Sequence, residues 1–173
     1  MKKIILLGFA IILFAACESN TPVRYTQTSA EIDVIKALIA DYEAGNWEAW
    51  KSHYSDTAWI FANSISDSLS VDDRLKTIQV SLADVSSYGF QKDTGDLEMV
   101  VDDKGRTWVN FWGAWQGTLK ANGQEYSIPV HLTLQMVDSK IVRSYGYWDN
   151  APIALALQAI EAAKAPVEEA AEE

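Results

Sequence analysis

Few residues in this chain could do chemistry. It has two histidines, His53 and His131, far apart in sequence, and one cysteine, Cys17. His131 lies in the alternating stretch "VHLTLQM", which reads as a strand, and an imidazole titrates in the range useful for general acid–base work. It is the best candidate for a proton carrier; the alternative is a structural strand histidine. His53 stands beside Lys51 and Ser52 on a helical stretch and reads as exposed. Two distant histidines give no support to a metal site, and no cofactor motif is present. There is no G-x-S-x-G elbow, no phosphate loop and no defensible Ser/His/Asp set. Asp149, in "SYGYWDN", stands with Asn150 just before "AP" and a helical stretch, where such residues cap. Tyr54 follows helical core spacing, although its hydroxyl could reach a pocket.

The elements that must position these residues can be read from periodicity. "TSAE" (Thr28 to Glu31) reads as a capping box. It is followed by Ile35, Leu38, Ile39 and Tyr42 at helical spacing, with Gly45 as the stop. Asn46 can cap a second helix carrying Trp47, Trp50 and Tyr54. "AWIFA" reads as a short strand, and "SVDD" opens a third helix with Leu75, Ile78, Leu82 and Val85, closed near Gly89. From Leu97 the period becomes two, with turns at "DDKG", "ANGQ" and "DSK", which predicts four antiparallel strands in a meander. An alanine-rich helix over 152–165 follows, and residues 163–173 read as an acidic, disordered tail. Residues 29–162 make one domain of α+β class: three N-terminal helices packed on a curved antiparallel sheet, plus a C-terminal helix.

The N-terminus gives an address. Lys2 and Lys3 precede an apolar run from Ile4 to Ala16 of thirteen residues, short of the roughly twenty needed to span a bilayer. Residues 1–16 read as a signal peptide. "FAAC" resembles the lipobox of bacterial lipoproteins, with Phe14 departing from the usual leucine, and this implies lipid attachment at Cys17. Plain secretion with a free thiol is the alternative. Residues 17–28 read as the lipidated N-terminus and a tether. The expected location is the bacterial cell envelope, with the membrane reached through the lipid anchor at Cys17. Without residues 1–16, twelve basic residues face twenty-four acidic ones, a net charge of −12. Such a domain is repelled by nucleic acid, so no nucleic-acid partner is expected.

"EAGNWEAWKSHYSDTAWIF" and "VDSKIVRSYGYWD" resemble the second-helix and last-hairpin regions of nuclear-transport-factor-2-like domains, including the SnoaL-like and ketosteroid-isomerase-like groups. The resemblance covers about 130 residues, and neither motif is specific for an activity. It implies a cone of three helices closed on a curved sheet, a pocket in its mouth and frequent homodimers. Ketosteroid isomerases use a tyrosine and two aspartates. By ungapped comparison these positions fall on Ala37, Ala62 and Thr133, so steroid-isomerase chemistry by that route lacks all three groups.

A two-residue turn at Asn122–Gly123 would pair Ala121 with Gln124 and place Trp115 opposite Val130. One face is then wholly apolar, with Val109, Phe111, Ile128 and Met136. The other is mixed, with Trp112, His131 and Thr133. A second two-residue turn at "SK" adds Trp148 to the mixed face and Tyr145 and Tyr147 to the apolar one; a bulge would reverse this. The resemblance puts the mixed face inside, so Trp112, His131, Thr133, Trp148 and Tyr54 are the expected ligand-binding residues. On that reading the apolar face is convex and needs a cover. The opposite arrangement, with the apolar face against the helices, stays open. The leading expectation is an envelope domain binding a small, largely apolar molecule. The alternatives are a cyclase-, isomerase- or dehydratase-type enzyme using His131, or a dimeric interaction module with no cavity.

Overall fold

The computed structural model describes residues 23–92 and 95–164. The expected signal peptide over 1–16, the expected lipid site Cys17 and most of the acidic tail lie outside the described residues. The helices are α1 (Ala30–Ala44), α2 (Trp47–Ser52), α3 (Val71–Leu82) and α4 (Ala151–Lys164). The strands are β1 (Tyr25–Thr26), β2 (Tyr54–Ala62), β3 (Ser68–Leu69), β4 (Val85–Phe90), β5 (Asp96–Val101), β6 (Thr107–Leu119), β7 (Glu125–Val137) and β8 (Lys140–Trp148). Three helices pack on one curved sheet, and the fourth follows the last strand. The class is the α+β arrangement that the periodicity predicts.

Local chemistry sets the helix ends. Ser29, not Thr28, caps α1: its hydroxyl accepts the Ile32 N–H at 3.2 Å, while Thr28 is held in a turn by Thr26. Gly45 ends α1 at φ 67, a left-handed position that costs glycine least. Ser70 caps α3 by accepting from Asp73 N–H at 3.1 Å. Helix α3 stops at Leu82 rather than near Gly89, because β6 runs beyond the end of β5 and β4 supplies the partner for its distal half. Helix α2 stops at Ser52, so Tyr54 opens β2 instead of closing a helix. Nor is the whole of 17–28 a tether. Tyr25 and Thr26 pair with Val100 and Met99, and Arg24 bonds Asp103 at 2.6 Å.

The sheet order is β1-β5-β6-β7-β8-β2-β3, with β4 alongside β6. Strands β5 to β8 form the expected antiparallel meander, and β2 joins β8 in parallel. The β6–β7 turn is longer than two residues. Leu119 N–H bonds Gln124 O, and Gly123 takes φ 71 inside a four-residue loop. Trp115 therefore faces Ile128 and Gly113 faces Val130, a shift of two residues from the expected register. A shift of two leaves each side chain on its own face.

The β7–β8 hairpin behaves differently. Its turn is Asp138–Ser139, both at positive φ as a type I′ turn requires, with Val137 paired to Lys140. One pair further on the register slips: Met136 faces Ile141, but Gln135 faces Arg143. Val142 is the extra residue of a β-bulge. Beyond it the faces of β8 exchange, so Ser144, Gly146 and Trp148 join Leu134, Leu132 and Val130 on the apolar face. Tyr145 and Tyr147 join Thr133 and His131. This apolar face packs against the helices, where Ile32, Ile35, Val109, Leu134 and Ile141 are almost wholly buried.

Glycines on the inner face make room for aromatic rings two residues away. A Cβ on Gly113 would collide with the Phe111 ring and reach Phe90 at 3.1 Å; one on Gly146 would meet Trp148 at 2.8 Å and Leu132 at 3.0 Å. Phe111 cannot yield, because it is buried and packed edge-on against Phe90 with ring centroids 5.0 Å apart. Gly113→Ala is therefore expected to lose about 1–3 kcal/mol of stability in urea unfolding. A stability equal to wild type would show that Phe111 has room to move.

Candidate functional site

A cavity of about 440 Å³ lies between the inner face of the sheet, helices α1 and α3, and the start of α4. The volume falls within the range of small-molecule sites. Its apolar walls come from Leu38 and Ile39 of α1, Ile78 of α3, and Val130 and Leu132 of β7. Trp50, Trp115 and Trp148 also line it. Trp148 lies over Gly146, and its backbone N–H donates to the Asn63 side-chain oxygen at 3.0 Å. Asp149 accepts the Ala151 N–H at 2.9 Å, which turns the chain from β8 into α4. Ile153, Ala154 and Leu157 of α4 then complete the lining. None of the described side chains of α4 is fully buried, so this helix covers the cavity without being locked into the core.

Tyr42, Tyr54, Arg74 and Ser144 interrupt this apolar lining away from solvent, while the polar Ser81, Asp84 and Asn150 line it from exposed positions. The Trp115 indole N–H donates to the Tyr42 hydroxyl oxygen at 3.0 Å, which leaves the phenolic proton free to donate elsewhere. Burial pushes the Tyr42 hydroxyl up to about 12, against the opposing effect of the Trp115 bond. Burial likewise raises Tyr54, whose hydroxyl lies beside the Ser144 hydroxyl. Both phenols are thus neutral near pH 7. Burial lowers the Arg74 guanidinium from its usual range, opposed by the adjacent Tyr54 and Tyr42 oxygens; arginine nonetheless stays charged. Its guanidinium lies 4.9 Å from the Trp148 ring centroid. Among the described residues, no histidine or glutamate lines the cavity, and its one carboxylate, Asp84, is exposed. Nor do three His, Cys, Asp or Glu side chains converge there as a metal would require.

No family model and no curated protein sequence matches the chain. Solved structures do. Wild-type IdmH from Streptomyces antibioticus, described as a candidate polyketide cyclase, superposes with a TM-score of 0.59 at 15% identity, covering 75% of this chain and 99% of that one. A candidate SnoaL-like polyketide cyclase from Shewanella denitrificans gives 0.57 at 13% identity, covering 76% and 99%. An NTF2-like protein of unknown function from Burkholderia pseudomallei gives 0.58 at 8% identity, covering 74% and 97%. The fold is nuclear-transport-factor-2-like. At these identities the likeness establishes architecture and leaves chemistry to the site itself.

Within this NTF2-like fold the expected site residues separate into two groups. Tyr54 and Trp148 line the cavity. Trp112, His131 and Thr133 do not: they lie on the outer face, because β6 and β7 turn their wholly apolar face to the helices. Counting back from the last hairpin therefore put Thr133 at a pocket position that it does not occupy. His131 is sandwiched between Trp112, stacked at 4.8 Å and 5°, and Tyr147 at 6.3 Å. His53 is not exposed; its side chain retains 17% exposure and its Nε2 meets Asp41 Oδ2 at 2.7 Å. That contact ties the end of α1 to the end of α2, away from the cavity. Arg74 was missed by sequence reasoning. Its signal was a cation on the apolar stripe of α3, three residues after Val71 and four before Ile78.

His131 Nε2 is covered and has no hydrogen-bond partner. Burial lowers its pKa below the ordinary 6.5, outweighing the attraction of nearby Glu98. A folded value below the unfolded one means that stability falls as pH drops through 6.5 towards the folded value, because the unfolded chain takes up the proton first. In an NMR titration the His131 ring protons are expected to move with a midpoint below 6.5. A midpoint above 6.5 would mean that ring stacking and Glu98 outweigh burial.

Proposed function

We propose that this domain binds a small, largely apolar molecule inside the cone. The observation that carries the reading is the cavity of about 440 Å³, walled by three tryptophans and aliphatic side chains and covered by a lightly held helix. The surface area of the aromatic rings is well suited to an apolar guest. Several fold neighbours are described as candidate polyketide cyclases, and a cyclase would need a base near its substrate. His131 on the outer face cannot serve as one. The neutral tyrosines and the arginine donate hydrogen bonds but take up no proton near pH 7, and Asp84, the one carboxylate of the lining, stands exposed to solvent. This chemistry favours binding over proton transfer. An interaction module without a cavity does not fit the fold either.

The neutral dye N-phenylnaphthylamine is expected to brighten and shift to the blue on binding the native chain, saturating at one molecule per chain. Leu132→Trp, which fills the cavity from β7, is expected to weaken binding by about tenfold or more, while Trp112→Ala on the outer face leaves it within about twofold. Loss of binding in Trp112→Ala, with Leu132→Trp unaffected, would contradict an inner site.

The same reading places the domain in the bacterial cell envelope, held at a membrane by a lipid on Cys17. Its support is the sequence pattern alone: a basic start, a short apolar run and "FAAC". One acyl chain holds a protein only marginally, so stable anchoring needs more than one. The wild-type protein is expected in the membrane fraction and Cys17→Ser in the soluble fraction. A variant that still sediments with membranes would exclude the anchor.

A further inference from the structure

Arg74 is a cation in a largely apolar cavity whose one carboxylate, Asp84, is exposed and forms no salt bridge with it. The acidic residues next to it in sequence are already paired: Asp72 with Lys51 at 2.7 Å and Asp73 with Lys76 at 3.0 Å. Among the described residues, no Asp or Glu forms a salt bridge with Arg74. Its one hydrogen bond to a side chain runs from Nη1 to Thr77 Oγ1 at 3.2 Å, and it faces the Trp148 ring and two phenols. A guanidinium carries five N–H donors, so most of its capacity is unspent. Removing an unbalanced charge from water is costly. In a domain so rich in carboxylates, an internal partner would be easy to supply. A purely structural arginine would be expected to have one.

The other polar groups nearby have the same character. Tyr42 has a free phenolic proton, and Trp148 offers a ring face rather than an acceptor. The cavity therefore holds donors from Arg74 and Tyr42 among largely apolar walls, with its remaining polar lining, Ser81, Asp84 and Asn150, exposed.

We propose that the cavity selects amphipathic carboxylates, with the carboxylate on the Arg74 guanidinium and Tyr42 hydroxyl and the apolar body along Leu38, Ile78, Leu132 and Trp148. This inference rests on the binding function proposed above and narrows its ligand to one chemical class. A planar guanidinium matches a carboxylate through two parallel hydrogen bonds, and such charge-assisted bonds are about twice as strong as neutral ones. Lysine at this position would keep the charge and lose the fork.

The test uses three ligands with the same chain, decanoate, decanol and decylammonium, each competing with bound N-phenylnaphthylamine at neutral pH. Wild type is expected to bind decanoate about tenfold more tightly than decanol, and decylammonium least. Arg74→Gln is expected to lose the preference for decanoate over decanol, with decanol still displacing the dye, and Arg74→Lys to keep part of the preference. Retained decanol binding shows that the variant has folded with its cavity intact. Equal affinity of wild type for decanoate and decanol would overturn carboxylate selection and leave the binding function standing. If none of the three displaces the dye, and the dye itself does not bind, both fail. The wild-type comparison needs no variant, so misfolding of Arg74→Gln cannot rescue the proposal.

Discussion

Val142 has no partner across the β7–β8 ladder, and the orientation of the last strand depends on that one unpaired residue. Strand side chains alternate, so an extra residue exchanges the two faces beyond it. Here the exchange carries Ser144, Gly146 and Trp148 inward, and sends Tyr145 and Tyr147 outward. The inner face of the sheet is then apolar across β6, β7 and β8. Gly146 leaves space for the Trp148 indole, and Ser144 sits beside Tyr54 at the buried end. Without the bulge, β8 would present its tyrosines to the helices and bury Arg143 where Ser144 now lies.

The cavity follows from the way this face meets the helices. Helices α1 and α3 close the upper part of the core through Ile35, Leu38 and Ile78. Between them and the long β6–β7 hairpin remains a space that no side chain fills, and α4 covers it. Arg74 and Tyr42 supply donors to that space, and its one carboxylate, Asp84, is exposed. The proposed selectivity rests on this combination of shape, apolar walls and one cation without a salt bridge. The outer face, with Trp59, Trp112 and Tyr147 each more than 40% exposed, offers large aromatic surfaces but no enclosure.

Much of this was legible in the sequence, and the exceptions have physical causes. Periodicity located three helices, the meander and the C-terminal helix, because burial on one face imposes periods of 3.6 and two. The apolar face of β6 and β7 was recognised despite a register error of two residues, since an even shift preserves alternation. The face of β8 was not recognised. A bulge is set by how two strands twist and pack, and "KIVRSYGYW" carries no local mark of where its extra residue lies. Arg74 was passed over for a different reason. Beside "VDD" it looks like part of a solvated charge cluster, and only the three-dimensional pairing of Asp72 and Asp73 with lysines shows that it stands alone.

The central claim is that ligands enter the apolar, Trp148-lined side of the sheet and not the His131 side. Intermolecular nuclear Overhauser contacts between bound decanol and the protein test it most directly. The account predicts contacts from the alkyl chain to the Trp148 and Trp115 rings and to the methyl groups of Leu132 and Leu157. Contacts to Trp112, His131 and Tyr147 instead would contradict it.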